Sequence, residues 1–240
     1  MELTQQELRR LTDEVDELHH DGMRTFREEM AEVHLDAARA GRRRALTGAA
    51  VVGGVLAAPL LLGGIAHATT PPMSMDDMGI AGFAQSVELA AVEVYKIAAP
   101  LLSATTKPVA ELFMSHHQQH ADAFGAVAGS KKASGPNQKL VTALGPTLAG
   151  LKDEAGALGF AFTLEGQAAY TYAGALTVLQ DPAYAKATST ILPIEAQHQV
   201  VLGLALGKPV TDCFPTGAFE SSALGYGTEP KAGLDPATFS

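Results

Sequence analysis

The chain has 240 residues, a net charge of −9 and a sequence pI near 5.3, with 47% hydrophobic residues, 6% aromatic and no tryptophan. No basic stripe exists to neutralise phosphates, which argues against nucleic acid as a partner. The single cysteine, Cys213, excludes an intrachain disulfide and any cysteine-rich zinc or iron–sulfur centre, and an alanine-rich, aromatic-poor composition points to an all-α fold of closely packed helices.

Residues 1–44 are acidic and helix-favouring. Leu8, Leu11, Val15 and Leu18, then Phe26, Met30, Val33 and Ala37, form an interrupted apolar stripe. This predicts an amphipathic helix on the cytoplasmic side, able to pair with a partner. A start of translation at Met30 would instead leave a leader of ordinary length. His19, His20 and His34 lie on this segment and read as solvated.

Residues 45–66, ALTGAAVVGGVLAAPLLLGGIA, carry no charge, follow the triplet Arg42-Arg43-Arg44 and precede Ala66-His67-Ala68. Positive flank, apolar core and small-residue cleavage pattern are the three parts of an export signal. The run GRRRAL resembles a twin-arginine signal, with Arg42-Arg43 as the pair. Residues 45–68 are thus expected to be a signal peptide or, uncleaved, a membrane anchor. Either places the remainder outside the cytoplasm, in the periplasm or cell envelope. No cysteine lies near the site, so a lipid anchor is not expected. Residues 69–79, TTPPMSMDDMG, read as a linker, in which Met73, Met75 and Met78 more often mean nothing than a copper site.

From residue 80 to 207 the helical pattern is continuous, and 208–240 reads as a tail draped over the bundle. Helices are expected at about 80–103, 108–129, 139–148, 151–180 and 182–207, with a possible kink at Pro193. The stretch around 130–150 is long enough to run from one end of a bundle to the other, which favours a four-helix bundle with one long crossover.

Two halves of this region repeat one arrangement of side chains. Glu88 and Tyr95 precede His117-Gln118-Gln119-His120; Glu165 and Tyr172 precede Glu195-Ala196-Gln197-His198. In each half the tyrosine follows the glutamate by two helical turns, and the i,i+3 pair begins 29 or 30 residues after the glutamate. Both glutamates sit in apolar, alanine-lined stripes, where a lone carboxylate is costly unless paired or coordinated. A single pair at this spacing is common by chance; four in phase on four helices predict a metal site of Glu88, His117, His120, Glu165, Glu195 and His198. Tyr95 and Tyr172 would stand behind the ligands as hydrogen-bond donors or radical quenchers, and Glu93 would pair with Lys96 on the surface. His116 is offset from the ligand face, placing it at the boundary or as a further donor to the site.

The segments SVELAAVEVY, HHQQHADAF, FTLEGQAAYTY and IEAQHQVVL resemble the ferritin-like superfamily, in particular its exported bacterial members, over residues 80–206. The resemblance implies a metal-carrying bundle with a Glu from each of two helices and a Glu-x-x-His from each of the others. By motif position it makes Glu88 and Glu165 terminal carboxylates, His120 and His198 the histidine ligands and Glu195 a bridging carboxylate. His117 departs from it, standing where the pattern has the second bridging glutamate. Two divalent ions carry four positive charges and three carboxylates cancel only three. One ion, or an asymmetric pair, of iron or manganese is therefore expected, with zinc also suited to the donors. If the protein is an enzyme, the expectation is an oxidoreductase acting on ferrous iron or peroxide, with a metal ion or small-molecule oxidant as partner. The rival expectation is a membrane-tethered interaction protein with a structural metal or none, either alone, as a homo-oligomer or in a membrane complex.

Overall fold

A computed structural model describes residues 3–46 and 76–214, and of residues 33–46 the backbone alone. Six α-helices follow in order: α1 Gln5–Leu46, α2 Asp77–Ala98, α3 Lys107–Val127, α4 Gln138–Gly150, α5 Glu154–Leu176 and α6 Pro182–Ala205. No strand occurs among the described residues. The apolar stretch 45–66 lies outside them apart from Ala45 and Leu46, as do Met73 and Met75. Among the described residues no helix is long and apolar enough to cross a membrane.

Local chemistry sets the helix starts. Asp76, Asn137, Asp153 and Asp181 each accept a hydrogen bond from a backbone N–H two or three residues on, capping α2, α4, α5 and α6. The Asp76 cap starts α2 at Asp77, inside the expected linker. Pro100 turns the end of α2 into a short 3-10 stretch, whereas Pro146 and Pro193 are carried inside their helices. Gly207, at φ 71°, ends α6. There Gly207 N–H donates to Leu204 O and Lys208 N–H to Gly203 O, at 2.9 and 3.0 Å, a left-handed cap that suits glycine.

The helices α2 and α3 form one hairpin and α5 and α6 the other, while α4 crosses between them and packs against α2. This is the four-helix bundle with one long crossover. The link from α5 to α6 is tied to the start of α2, since Asp77 Oδ2 accepts from the N–H groups of Gln180 and Asp181 at 2.9 and 2.6 Å. Apolar clusters hold both ends of the bundle. One gathers Phe26, Phe124, Tyr172 and Ile191, the other Leu8, Val15, Phe113, Leu158 and Leu202. Each fully buried large side chain contributes about 1.5–3 kcal/mol of transfer free energy.

The first helix is more than an appendage. It lies along α6 and α3, burying Leu8, Val15, His19, Met23 and Phe26. The apolar seam is therefore continuous, because His19 and Met23 fill the gap left in the expected stripe, and Leu18 faces solvent instead. At the other end, Cys213 is fully buried against α6, where a Cβ on Gly203 would come within 2.7 Å of its sulfur. Of the expected tail, residues 215–240 lie outside the described residues.

Candidate metal centre

The six expected side chains meet in the middle of the bundle, all buried, each delivered by the helix the spacing assigned to it. Glu88 comes from α2, His117 and His120 from α3, Glu165 from α5, and Glu195 and His198 from α6. His117 is central. Its Nδ1 lies 2.7 Å from Glu88 Oε2 and 3.8 Å from Glu195 Oε1, while its Nε2 lies 3.1 Å from Glu165 Oε1. His120 Nδ1 is 2.7 Å from Glu195 Oε1 and 3.7 Å from Glu88 Oε2. His198 Nδ1 is 3.2 Å from Glu165 Oε2 and 3.7 Å from Glu195 Oε2. Two four-residue groups result, Glu88/His117/His120/Glu195 and His117/Glu165/Glu195/His198, each with donor atoms within 4.8 Å of one another.

These separations suit ligands around an ion. With metal–ligand bonds of about 2.1 Å, adjacent donors stand roughly 3.0 Å apart in an octahedron and roughly 3.4 Å in a tetrahedron. A second observation agrees. Both nitrogens of His120 and both carboxylate oxygens of Glu195 lack a hydrogen-bond partner although fully buried. His120 Nδ1 and Glu195 Oε1 are close, but not aligned as donor and acceptor. Buried polar atoms that approach without bonding one another are costly unless something between them takes the lone pairs. The donor set fits a metal ion.

Tyr95 and Tyr172 cap the site crosswise. The Tyr95 hydroxyl donates to Glu165 Oε1 and the Tyr172 hydroxyl to Glu88 Oε1, so each tyrosine holds the glutamate of the other hairpin. Burial and the adjacent carboxylates push both phenols well above their usual range. In the metal-free cluster, burial favours the neutral forms of Glu88, Glu165, His117, His120 and His198, but the facing imidazoles and carboxylates outweigh it. Glu88 is held at about 2 by His120 and His117, and Glu165 well below the carboxylate range by His117 and His198. Against the same burial, Glu88 and Glu195 raise His120 to about 9, Glu165 and Glu195 raise His117 well above the usual value, and Glu165 raises His198.

His116 is fully buried rather than at the boundary. Its Nε2 is 3.1 Å from Asp16 Oδ1 on α1 and its Nδ1 is 3.0 Å from His198 Nε2. The network fixes the protons: Asp16 takes the Nε2–H of His116, whose bare Nδ1 takes the Nε2–H of His198. His198 Nδ1 then donates to Glu165 while no metal is bound, and it is the nitrogen whose lone pair becomes free for an ion once that proton leaves. Phe113 stacks on the His198 ring at 3.9 Å and fixes its plane.

Two participants were not foreseen. Asp16 carries no signal in the sequence pattern, and His19, expected in solvent, is fully buried and stacks on His116 at 3.7 Å with neither ring nitrogen hydrogen-bonded. Burial first, then the neighbouring His116, His120 and His198, hold His19 near 2 and thus neutral. The seven-, four- and three-residue steps through Leu8, Val15, His19, Met23 and Phe26 are the signal the sequence offers. His20 is exposed as expected, and the side chain of His34 lies outside the described residues. Glu111 is exposed, and Glu93 pairs with Lys96 at 2.9 Å on the surface.

Compared with known proteins, residues 76–208 match the family model of the ferritin-like domain, more than half of the chain. No curated protein and no solved structure matches it. With a bundle of the expected connection and a buried Glu/His cluster compatible with a metal ion at its centre, this chain belongs to the ferritin-like domain family.

Proposed function

We propose that this protein is an exported ferritin-like metal protein that holds iron or manganese through Glu88, His117, His120, Glu165, Glu195 and His198. The observation that carries the reading is the pair of overlapping four-donor groups sharing His117 and Glu195, with the orphaned atoms of His120 and Glu195 between them. Zinc would also suit these donors. When bound, a redox-active ion of this kind supplies one-electron chemistry toward ferrous iron or peroxide.

The chain's own residues set the limits of that chemistry. Neutral His117 has one lone pair, so it serves one of the two groups at a time, and its other nitrogen carries a proton toward a carboxylate. The first ion therefore binds more tightly than a second, whose arrival would also leave the site one positive charge in excess of its three carboxylates. Tyr95 and Tyr172 orient Glu165 and Glu88, and in the unprocessed chain, with α1 docked, Asp16 acting through His116 keeps Nδ1 of His198 as the ligand nitrogen.

Export completes the proposal. Its support is Arg42-Arg43 before an apolar run with Ala66-His67-Ala68 behind it, a signal type that carries folded domains. Removal of residues 1–68 would strip α1 from the flank of His116, whereas a retained span at 45–66 would part α1 from α6. Intact mass of protein recovered from the cell envelope decides between these forms. The rival reading, a tethered interaction protein, drew on a helix with an unclaimed apolar stripe. In the described residues α3 and α6 take up that stripe, and a retained span would free it again.

Elemental analysis of the purified protein tests the core of the proposal. About one equivalent of transition metal is expected, lost in His120→Ala and in Glu165→Ala. A folded wild-type protein that takes up no iron, manganese or zinc would defeat it.

A further inference from the structure

The α1 side of the metal cluster is polar, running through His116 to half-exposed Asp16. The opposite side is not. A cavity of about 50 Å³ lies between α2, α4 and α5, walled chiefly by Val87, Ala91, Val94, Leu140, Leu144 and Leu164. Its inner end is formed by Glu88, Tyr95, His117, Glu165 and Tyr172. The crossover helix α4 supplies the outer wall, so the space exists because the connection returns along α2 instead of taking a short turn.

The polar atoms at the inner end are already engaged. Tyr172 donates to Glu88 Oε1 and Tyr95 to Glu165 Oε1, while the two nitrogens of His117 face Glu88 and Glu165. Gln167, the remaining polar side chain of the wall, is half-buried. A hydrated ion or a peroxide entering here would exchange water for alkyl groups, at roughly 2–7 kcal/mol for each polar group left without a partner. A molecule that forms no hydrogen bonds loses nothing by entering. The space is also of the right order, since one water-sized sphere occupies about 10–15 Å³ by this kind of measure.

We propose that the cavity between α2, α4 and α5 binds a small uncharged molecule without hydrogen-bonding groups, of dioxygen's size, and delivers it to the Glu88/His117/Glu165 flank of the cluster. What the molecule meets there rests on the metal reading above; its binding does not. The two flanks of the cluster then differ in chemistry, a hydrogen-bonded chain through His116 to Asp16 on one and the apolar cavity on the other.

Xenon is the probe, because it shares the size and the lack of hydrogen bonding and occupies dry apolar cavities. Crystals of the full chain under xenon pressure should show an atom bounded by Ala91, Leu144 and Leu164. Ala91→Leu should abolish it with metal content unchanged. Leu144→Ala, which widens the space, should raise xenon occupancy, and it supplies a second reading should the leucine variant fail to fold. Ordered water filling the cavity with no xenon, or xenon unaffected by both substitutions, would overturn the proposal. Metal content measured on the same preparations keeps the two ideas apart. Xenon bound in a protein that takes up no metal refutes the metal reading alone, whereas a metal-loaded protein with a wet cavity refutes this one alone.

Discussion

Tyr95 on α2 donates its hydroxyl to Glu165 on α5, so the first hairpin orients a carboxylate belonging to the second. Tyr172 returns the arrangement to Glu88. Neither hairpin completes the cluster alone, and docking the hairpins and building the site are one event.

Removing either hydroxyl should loosen the carboxylate it holds. Tyr95→Phe and Tyr172→Phe are each expected to weaken metal binding by about tenfold, the low end for a residue supporting a ligand. The fold should be kept, since the ring remains. Chelator competition measures this; unchanged affinity in both variants would show the phenols to be packing residues only.

Placing glutamate at 117 supplies the fourth carboxylate. His117→Glu is expected to raise the tightly held metal from about one equivalent to two, because four carboxylates balance two divalent charges and a carboxylate can bridge. Elemental analysis after dialysis reads the ratio. A variant still limited to one equivalent would mean that geometry, not charge, sets the number of ions.

The metal-free protein should have a narrow stability maximum near pH 6.5. Above that value, His117, His120 and His198, raised in the fold, progressively lose their contribution as pH climbs, for His120 through about 9. Below it, His19 and His116, depressed to about 2 and about 3, stay neutral in the fold while the unfolded chain takes up protons. Glu88 and Glu165 add to the acid loss below 4.5, the former as pH falls toward about 2. Bound metal requires the ligand imidazoles deprotonated, so loading should release protons and flatten the alkaline limb. Urea midpoints of both forms across pH 4–9 provide the check, and a flat metal-free profile would contradict the charge assignment.

Asp16→Asn keeps the shape of its side chain but removes the anion that takes the His116 proton. In the unprocessed full chain, where α1 packs on the bundle, the expected result is a loss of order tenfold in metal affinity together with a changed tautomer of His198, visible in its ring ¹⁵N shifts. A purely structural role for Asp16 would leave the tautomer as it was. Met23→Ala, on the same helix, should cost about 2–5 kcal/mol of stability, since Met23 is buried under α6.

Gly82→Ala tests packing away from the cluster. A Cβ there would stand 2.0 Å from the carbonyl oxygen of Lys131, which belongs to the backbone of the turn after α3 and cannot swing aside. A destabilisation of about 1–3 kcal/mol is expected in thermal unfolding, with metal content unchanged.

Glu88, His117, Glu165, Glu195 and their partners were legible because helical phase is a local property. Once α2, α3, α5 and α6 are helices, residues at i, i+3 and i+7 share a face whatever the rest of the chain does, and a carboxylate in an apolar stripe announces a partner. The stop at Asp181-Pro182 is local in the same way and the length between α3 and α5 already favoured a crossover, whereas the caps at Asp76 and Asp153 start their helices at Asp77 and Glu154 instead of the expected 80 and 151. His19 and Asp16 were not legible. An acidic helix with a histidine in its stripe reads as solvated unless a facing surface is known, and that surface is assembled from α3 and α6, about 100 and 180 residues further on. Likewise only tertiary structure decided which tyrosine meets which glutamate, that His117 faces carboxylates from both hairpins, and that α4 leaves an apolar space beside them. Spacing along a chain fixes the direction of a side chain about its own helix axis; the partner it meets depends on how separate helices dock, which no local pattern encodes.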